Sequence, residues 1–166
     1  RFLCREPEER VLADGHWQYG LYPGDAASSD DREQLHRFRG TMQNWATKKD
    51  ESGRRLFSIP MSSGSDCALV RQLDEQSMMD WMVGQGLTSQ RLLWLVDYAC
   101  RDDYGLRIEQ TSAWAGVFYF ASRLREDQAE SQPVVTWPEG NGRIVDYLER
   151  QCGDRLHTTH AVTRIQ

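Results

Sequence analysis

Asp97, Arg101, Asp102, Asp103 and Arg107 crowd into one short stretch of this chain. Carboxylates set among cations can pass protons to and from a substrate, so the stretch is a candidate acid–base site, with hydrolysis as the reaction it would serve. The plainer reading is structural. Asp97 and Arg101 are four apart, the spacing at which a carboxylate and a guanidinium pair on one face of a helix and tie its end to the following loop. No G-x-S-x-G elbow accompanies the cluster. His157 and His160 have the look of metal ligands, but residues three apart on a strand point to opposite faces and no third ligand is adjacent, so structural histidines are expected and no metal site is assigned. Cys4, Cys67, Cys100 and Cys152 form no C-x-x-C pair, which excludes zinc-ribbon and thioredoxin-type motifs and leaves free thiols. Gly140-Asn141-Gly142 follows an extended run and opens a helix, as a dinucleotide fingerprint does. Val145 stands where the third glycine is required and Pro138 interrupts the turn, so a tight turn capping a helix is the simpler account.

The elements that must position these residues are legible in the patterning. Asp14-Gly15 between Arg10-Val11-Leu12 and His16-Trp17-Gln18-Tyr19 predicts a β-hairpin, because both turn residues tolerate positive φ. Ser28-Ser29-Asp30-Asp31 opens a helix, with a capping-box spacing between Asp30 and Glu33 and with Leu35, Phe38, Met42 and Trp45 on one face. Leu56 to Met61 reads as a short extended segment. Asp74 is the expected N-cap of a helix from Glu75 to Gly84, and Thr88 or Ser89 that of a helix ending at Gly105. A third core helix is expected from about Ile108 to Leu124, apolar on every side between Ala113 and Ala121 and therefore buried all round. Glu126 to Gln132 reads as a polar loop and Pro133 to Trp137 as extended. A helix from Arg143 to Cys152 follows, then strands over Arg155–Thr158 and Ala161–Ile165. A helical layer with strand pieces at both ends predicts an α+β fold. The aromatic and methionine side chains of the helices, among them Trp45, Met78, Trp81, Trp94, Trp114 and Phe118, are either core or the lining of an apolar ligand cavity.

Composition narrows the function classes. A net charge of −5 argues against general nucleic-acid binding, which needs concentrated positive charge. No apolar run approaches the ~20 residues that span a bilayer, so a soluble protein, cytoplasmic or periplasmic, is expected, with the compartment left open.

Thr111-Ser112-Ala113-Trp114-Ala115-Gly116-Val117-Phe118-Tyr119-Phe120 is similar to a helix that ends the central substrate-domain segment of the flavin-containing amine oxidase family, which includes the monoamine oxidases. Thr136-Trp137-Pro138-Glu139-Gly140-Asn141-Gly142-Arg143-Ile144-Val145 and Leu148 resemble that family's glycine turn and following helix. Arg155-Leu156-His157 and Ala161-Val162-Thr163-Arg164-Ile165 look like the strand pair that returns its chain to the flavin-binding domain. Upstream, Leu73 to Met82 is similar to the family's short helix before a Gly-Leu, and Leu92 to Asp103, with Tyr104-Gly105, resembles a bacterial branch of FAD-dependent amine oxidoreductases. The resemblance covers residues 70–166 well and the first third loosely.

The resemblance implies an internal fragment of a two-domain FAD oxidoreductase. Residues 1–138 would be a substrate-domain portion and residues 139–166 an incomplete return segment. It implies oxidation of a small substrate at a C–N or C–C bond by hydride transfer to flavin, and related branches also oxidise carotenoid precursors and porphyrinogens. By the same resemblance Val162 makes backbone hydrogen bonds to the adenine end of FAD, while Tyr98 and Ala99 line the substrate cavity. The family's G-x-G-x-x-G segment and its flavin-facing aromatic residues are absent. The fragment alone is therefore expected to be inactive, with the remainder of its own chain as partner and catalytic residues unassigned. The alternative is a non-catalytic helical module that binds a ligand or a partner.

Overall fold

The computed structural model describes residues 2–4, 9–13, 15–22, 26–124 and 134–165. It is α+β and divides into two compact units, Glu8–Glu130 and Arg1–Pro7 with Ser131–Gln166.

The larger unit begins with the hairpin. Strands β1 (Arg10–Ala13) and β2 (His16–Tyr19) pair antiparallel with Arg10 opposite Tyr19 and Ala13 opposite His16. Gly15 sits in the turn at φ 79°, a conformation that costs glycine nothing and other residues a steric clash. Helix α1 (Ser29–Thr47) is capped by Ser28, whose hydroxyl accepts from the Asp31 N–H at 3.0 Å while the Asp31 carboxylate accepts from the Ser28 N–H at 2.9 Å. The reciprocal box is thus Ser28 with Asp31, not Asp30 with Glu33. Ser28 is the last residue with non-helical φ/ψ, and this puts Asp31 at the third helical position. Phe38, Met42 and Ala46 are buried at four-residue intervals along α1, flanked by half-buried Leu35 and Trp45.

Residues 48–66 are irregular. Leu56 and Phe57 are buried, but the segment from Leu56 to Met61 forms no strand, and Met61–Ser63 is a 3₁₀ turn. A short helix α2 (Ala68–Leu73), absent from the sequence expectation, comes next, and Asp74 is its C-cap rather than the N-cap of its successor. Helix α3 (Met78–Gly84) starts at Ser77, whose hydroxyl accepts from the Asp80 N–H at 3.0 Å. A tertiary bridge delays this helix. Met78 N–H donates to Thr111 O at 2.8 Å and Ala113 N–H to Gln76 O at 2.9 Å, which holds Ser77 extended just before the helix. Helix α4 (Gln90–Tyr104) is capped by Ser89 and stops at Gly105, φ 66°. The expected helix from Ile108 is shorter: α5 (Ala113–Ala121) is capped by Ser112, and residues 107–111 are a turn closed by Thr111 N–H on Arg107 O. Nor is α5 buried all round. Ala113, Gly116, Val117 and Ala121 face the core, while Trp114, Phe118 and Phe120 are only half covered.

The smaller unit pairs β3 (Phe2–Cys4) antiparallel with β4 (Val134–Thr136), Phe2 opposite Thr136. This long-range pairing joins the start of the chain to residues 134–136. After a turn comes α6 (Gly142–Cys152), then a 3₁₀ turn at Gly153–Arg155. The strands expected over Arg155–Thr158 and Ala161–Ile165 do not form. A strand needs a neighbour for its N–H and C=O groups, and neither stretch has one among the described residues. The polar loop expected at Glu126–Gln132 lies outside the described residues. Among the described residues, no helix is long and apolar enough to cross a membrane.

Candidate functional site

The charged cluster of α4 resolves into structural ties. The Asp97 carboxylate pairs with Arg101 one helical turn away, and its other oxygen accepts the Ile108 N–H at 3.0 Å. Burial pushes the Asp97 carboxyl up, but the bonds from Arg101 and Ile108 with the charges of Arg101 and Arg107 outweigh it and hold it below the usual carboxylate range. A carboxylate held ionised in this way is a poor proton donor. Asp103 pairs with Arg123 at 2.8 Å, and Arg107 pairs with Glu109 at 3.4 Å. Asp97 thus ties α4 to the turn before α5, and Asp103 ties its end to Arg123 beyond α5.

Tyr98 and Ala99 are neighbours in sequence but not on a common wall. Ala99 packs into the helical core. Tyr98 is on the outer face of α4, stacked on Trp94 with ring centroids 5.9 Å apart, and borders a shallow recess with Arg101 and Asp102. Successive residues on a helix point about 100° apart, so one of the pair faces the core when the other faces out. Val162 is 80% exposed, outside regular secondary structure, and its peptide has no backbone partner among the described residues. Gly140 takes φ 62° and α6 opens at Gly142, but the Asn141 side chain makes no cap, and every residue of α6 is exposed. His157 and His160 lie in irregular backbone with ring centroids 6.2 Å apart, and His160 Nδ1 is 2.7 Å from Thr158 O. Among the described residues no three His, Cys, Asp or Glu side chains gather as metal ligands do.

The thiols differ by burial. Burial pushes Cys100 up to about 11, whereas the Val70 N–H at the start of α2 holds Cys67 below its ordinary value. Cys152 is exposed.

One cleft of the helical unit was not singled out in the sequence. A cleft of about 530 Å³ runs along α1, between that helix, α4 and the end of α5. That volume is within the range of small-molecule sites. Phe38 and Met42 form its floor, with the Phe38 ring edge-on to Phe120 at 5.0 Å; Leu95 and Leu124 complete the apolar side. The rest of the lining from α1 is mainly polar. His36, Arg39, Gly40 and Gln43 follow at helical spacing on one face of α1. Gly40 has ordinary helical φ and stands in the interior of a 19-residue helix, where glycine costs about 1 kcal/mol relative to alanine. A Cβ added there would meet nothing within 4 Å, so close packing does not explain the glycine. No family model, curated protein or solved structure matches the chain.

Proposed function

We propose that the chain is a substrate-domain portion of an FAD-dependent oxidoreductase of the amine-oxidase type, oxidising a small substrate by hydride transfer. One observation carries the reading beyond the sequence resemblance. Ile144, Val145, Tyr147 and Leu148 form an apolar face on α6 that is exposed along its length, followed by exposed Leu156, Val162 and Ile165. Apolar side chains at this density call for a covering layer. A nucleotide-binding domain built from the remainder of the protein would supply it, and the tail around Val162 would add to its sheet.

The residues present fit part of a flavin nucleotide site. The Val162 peptide has no backbone partner among the described residues, as a backbone contact to adenine requires. The Gly140–Gly142 turn does not extend the fit, because Val145 replaces the third glycine, which close packing of the helix requires. A bound flavin would supply the hydride acceptor, and this segment would hold its nucleotide end and shape the substrate side.

The full-length protein, purified from the reading frame that contains this segment, is expected to be yellow and to release FAD on denaturation. Val162→Pro removes the backbone donor and is expected to lower the FAD content while helix content stays constant. Val162→Ala, which keeps the peptide group, is expected to leave FAD content unchanged. A colourless full-length protein without nucleotide sinks the reading. The cleft on α1 favours a second one, a helical module that binds a small ligand without transforming it.

A further inference from the structure

We propose that the β1–β2 hairpin is a self-association site, at which β2 pairs antiparallel with β2 of a second copy of this chain and the two hairpins form one four-stranded sheet. The inference goes beyond the flavin reading and does not depend on it, because the pairing uses the hairpin alone.

The ladder of the hairpin decides which peptide groups are open. Gly20 N–H donates to Glu9 O at 2.8 Å, and Glu9 is directly opposite Gly20 in the register that sets Arg10 against Tyr19 and Ala13 against His16. Hydrogen-bonded and non-hydrogen-bonded pairs alternate along an antiparallel ladder. Val11 with Gln18 and Ala13 with His16 are therefore bonded pairs, and Trp17 and Tyr19 turn their N–H and C=O groups away from β1. Among the described residues no hydrogen bond from elsewhere in the chain reaches these groups. The edge of β2 also carries no lysine, no proline and no bulge, the devices that commonly keep a strand edge from pairing. Its side chains are as open as its backbone. Gln18 on the inner face is buried, whereas the outer face exposes Leu12, Trp17 (66%) and Tyr19 (73%).

The occupant follows from the residues of the edge, which are their own complement. A twofold axis at Gln18 sets Trp17 of each copy opposite Tyr19 of the other. The outward groups of both residues then meet as bonded pairs, each exchanging its N–H and C=O. The same register places Trp17 against Tyr19 twice on the exposed face, and directly opposed aromatic pairs stabilise a sheet. His16 comes opposite Gly20, so no charges of like sign meet along the edge.

The test is sedimentation velocity of the full-length protein over a range of concentrations, with amide hydrogen exchange at Trp17 and Tyr19. A concentration-dependent dimer is expected, with both amides protected. Tyr19→Pro removes an outward N–H and none of the bonds to β1, and is expected to weaken dimerisation by more than roughly ten-fold. Trp17→Lys replaces an exposed side chain and is expected to do the same and to speed exchange of the Tyr19 amide. Unchanged circular dichroism identifies variants that remain folded. A monomer at every concentration overturns the proposal; protected amides in that monomer would assign the edge to another strand of the same chain, and fast exchange would leave it open. A dimer whose Trp17 and Tyr19 amides exchange freely, or one that both folded variants leave intact, overturns it by placing the contact elsewhere.

Discussion

Gln34 shows how one polar side chain can organise a helical core. It is buried on α1, and its Oε1 accepts the Thr88 N–H at 2.7 Å and the Ser89 N–H at 2.8 Å, while its amide nitrogen donates to Asp30 at 2.8 Å. These are donors at the start of α4, where the first turn has no intrahelical acceptors. Ser89 adds a bond to Asp31 at 2.5 Å, so the N-termini of α1 and α4 cap each other. Gln34→Ala would strand the N–H of buried Ser89 and leave that of exposed Thr88 to water, and a loss of about 2 kcal/mol is expected in urea unfolding. A loss below about 1 kcal/mol would show that water reaches the Ser89 N–H too. Tyr104 makes a second residue-scale prediction. Its hydroxyl donates to Ala115 O at 2.9 Å, and burial, with Asp103 nearby, pushes its pKa from an ordinary 10 up to about 12. The folded state therefore favours the protonated phenol. Its contribution is fully present below pH 10 and is lost as pH rises from about 10 to about 12. Melting temperature should fall across that window, and Tyr104→Phe should flatten the fall; an equal slope in the variant would show that other groups govern it.

At the scale of elements, glycines in two helices have different surroundings. Gly116 on α5 lies against buried Met78 of α3, where an added Cβ would come within 2.5 Å of the sulfur and 2.6 Å of Cγ. Alanine gains helix propensity of about 1 kcal/mol, but overpacking a closed core costs about 1–3 kcal/mol. Gly116→Ala is thus expected to destabilise, and Met78→Ala in the same protein should offset part of the loss. Additive single and double variants in thermal unfolding would contradict a direct contact. Helix ends show how elements and sequence part company. The Ser89 cap and the Gly105 stop of α4 are local signals that the structure keeps. The starts of α3 and α5 follow Ser77 and Ser112 instead, because these residues pair across the fold and hold their neighbours extended. Uninterrupted apolar patterning carried no mark of that bridge.

For the whole molecule, the two units differ in what can sustain them. The larger unit contains the hydrophobic core, with Phe57, Met78, Met82, Leu92, Val96 and Val117 all fully buried. The smaller has two three-residue strands and a helix exposed on every face, and a two-stranded sheet is only marginally stable in water. Glu8–Glu130 expressed alone is expected to keep helical circular dichroism and one cooperative melt. A broad, non-cooperative melt would mean that the remaining residues support the core. The sequence by itself determined the hairpin, the positions of α1, α4 and α6, and the α+β class, because turn chemistry, capping and the 3.6-residue period act over a few neighbouring residues. Tertiary structure alone decided the rest. It paired the N-terminal strand with β4 more than a hundred residues away, since backbone groups find any partner that geometry offers. It turned the Asp97 cluster into helix ties, and it separated Ala99 from Tyr98. It also formed the cleft between α1, α4 and α5, because a cavity belongs to the spaces between elements and no single element records it.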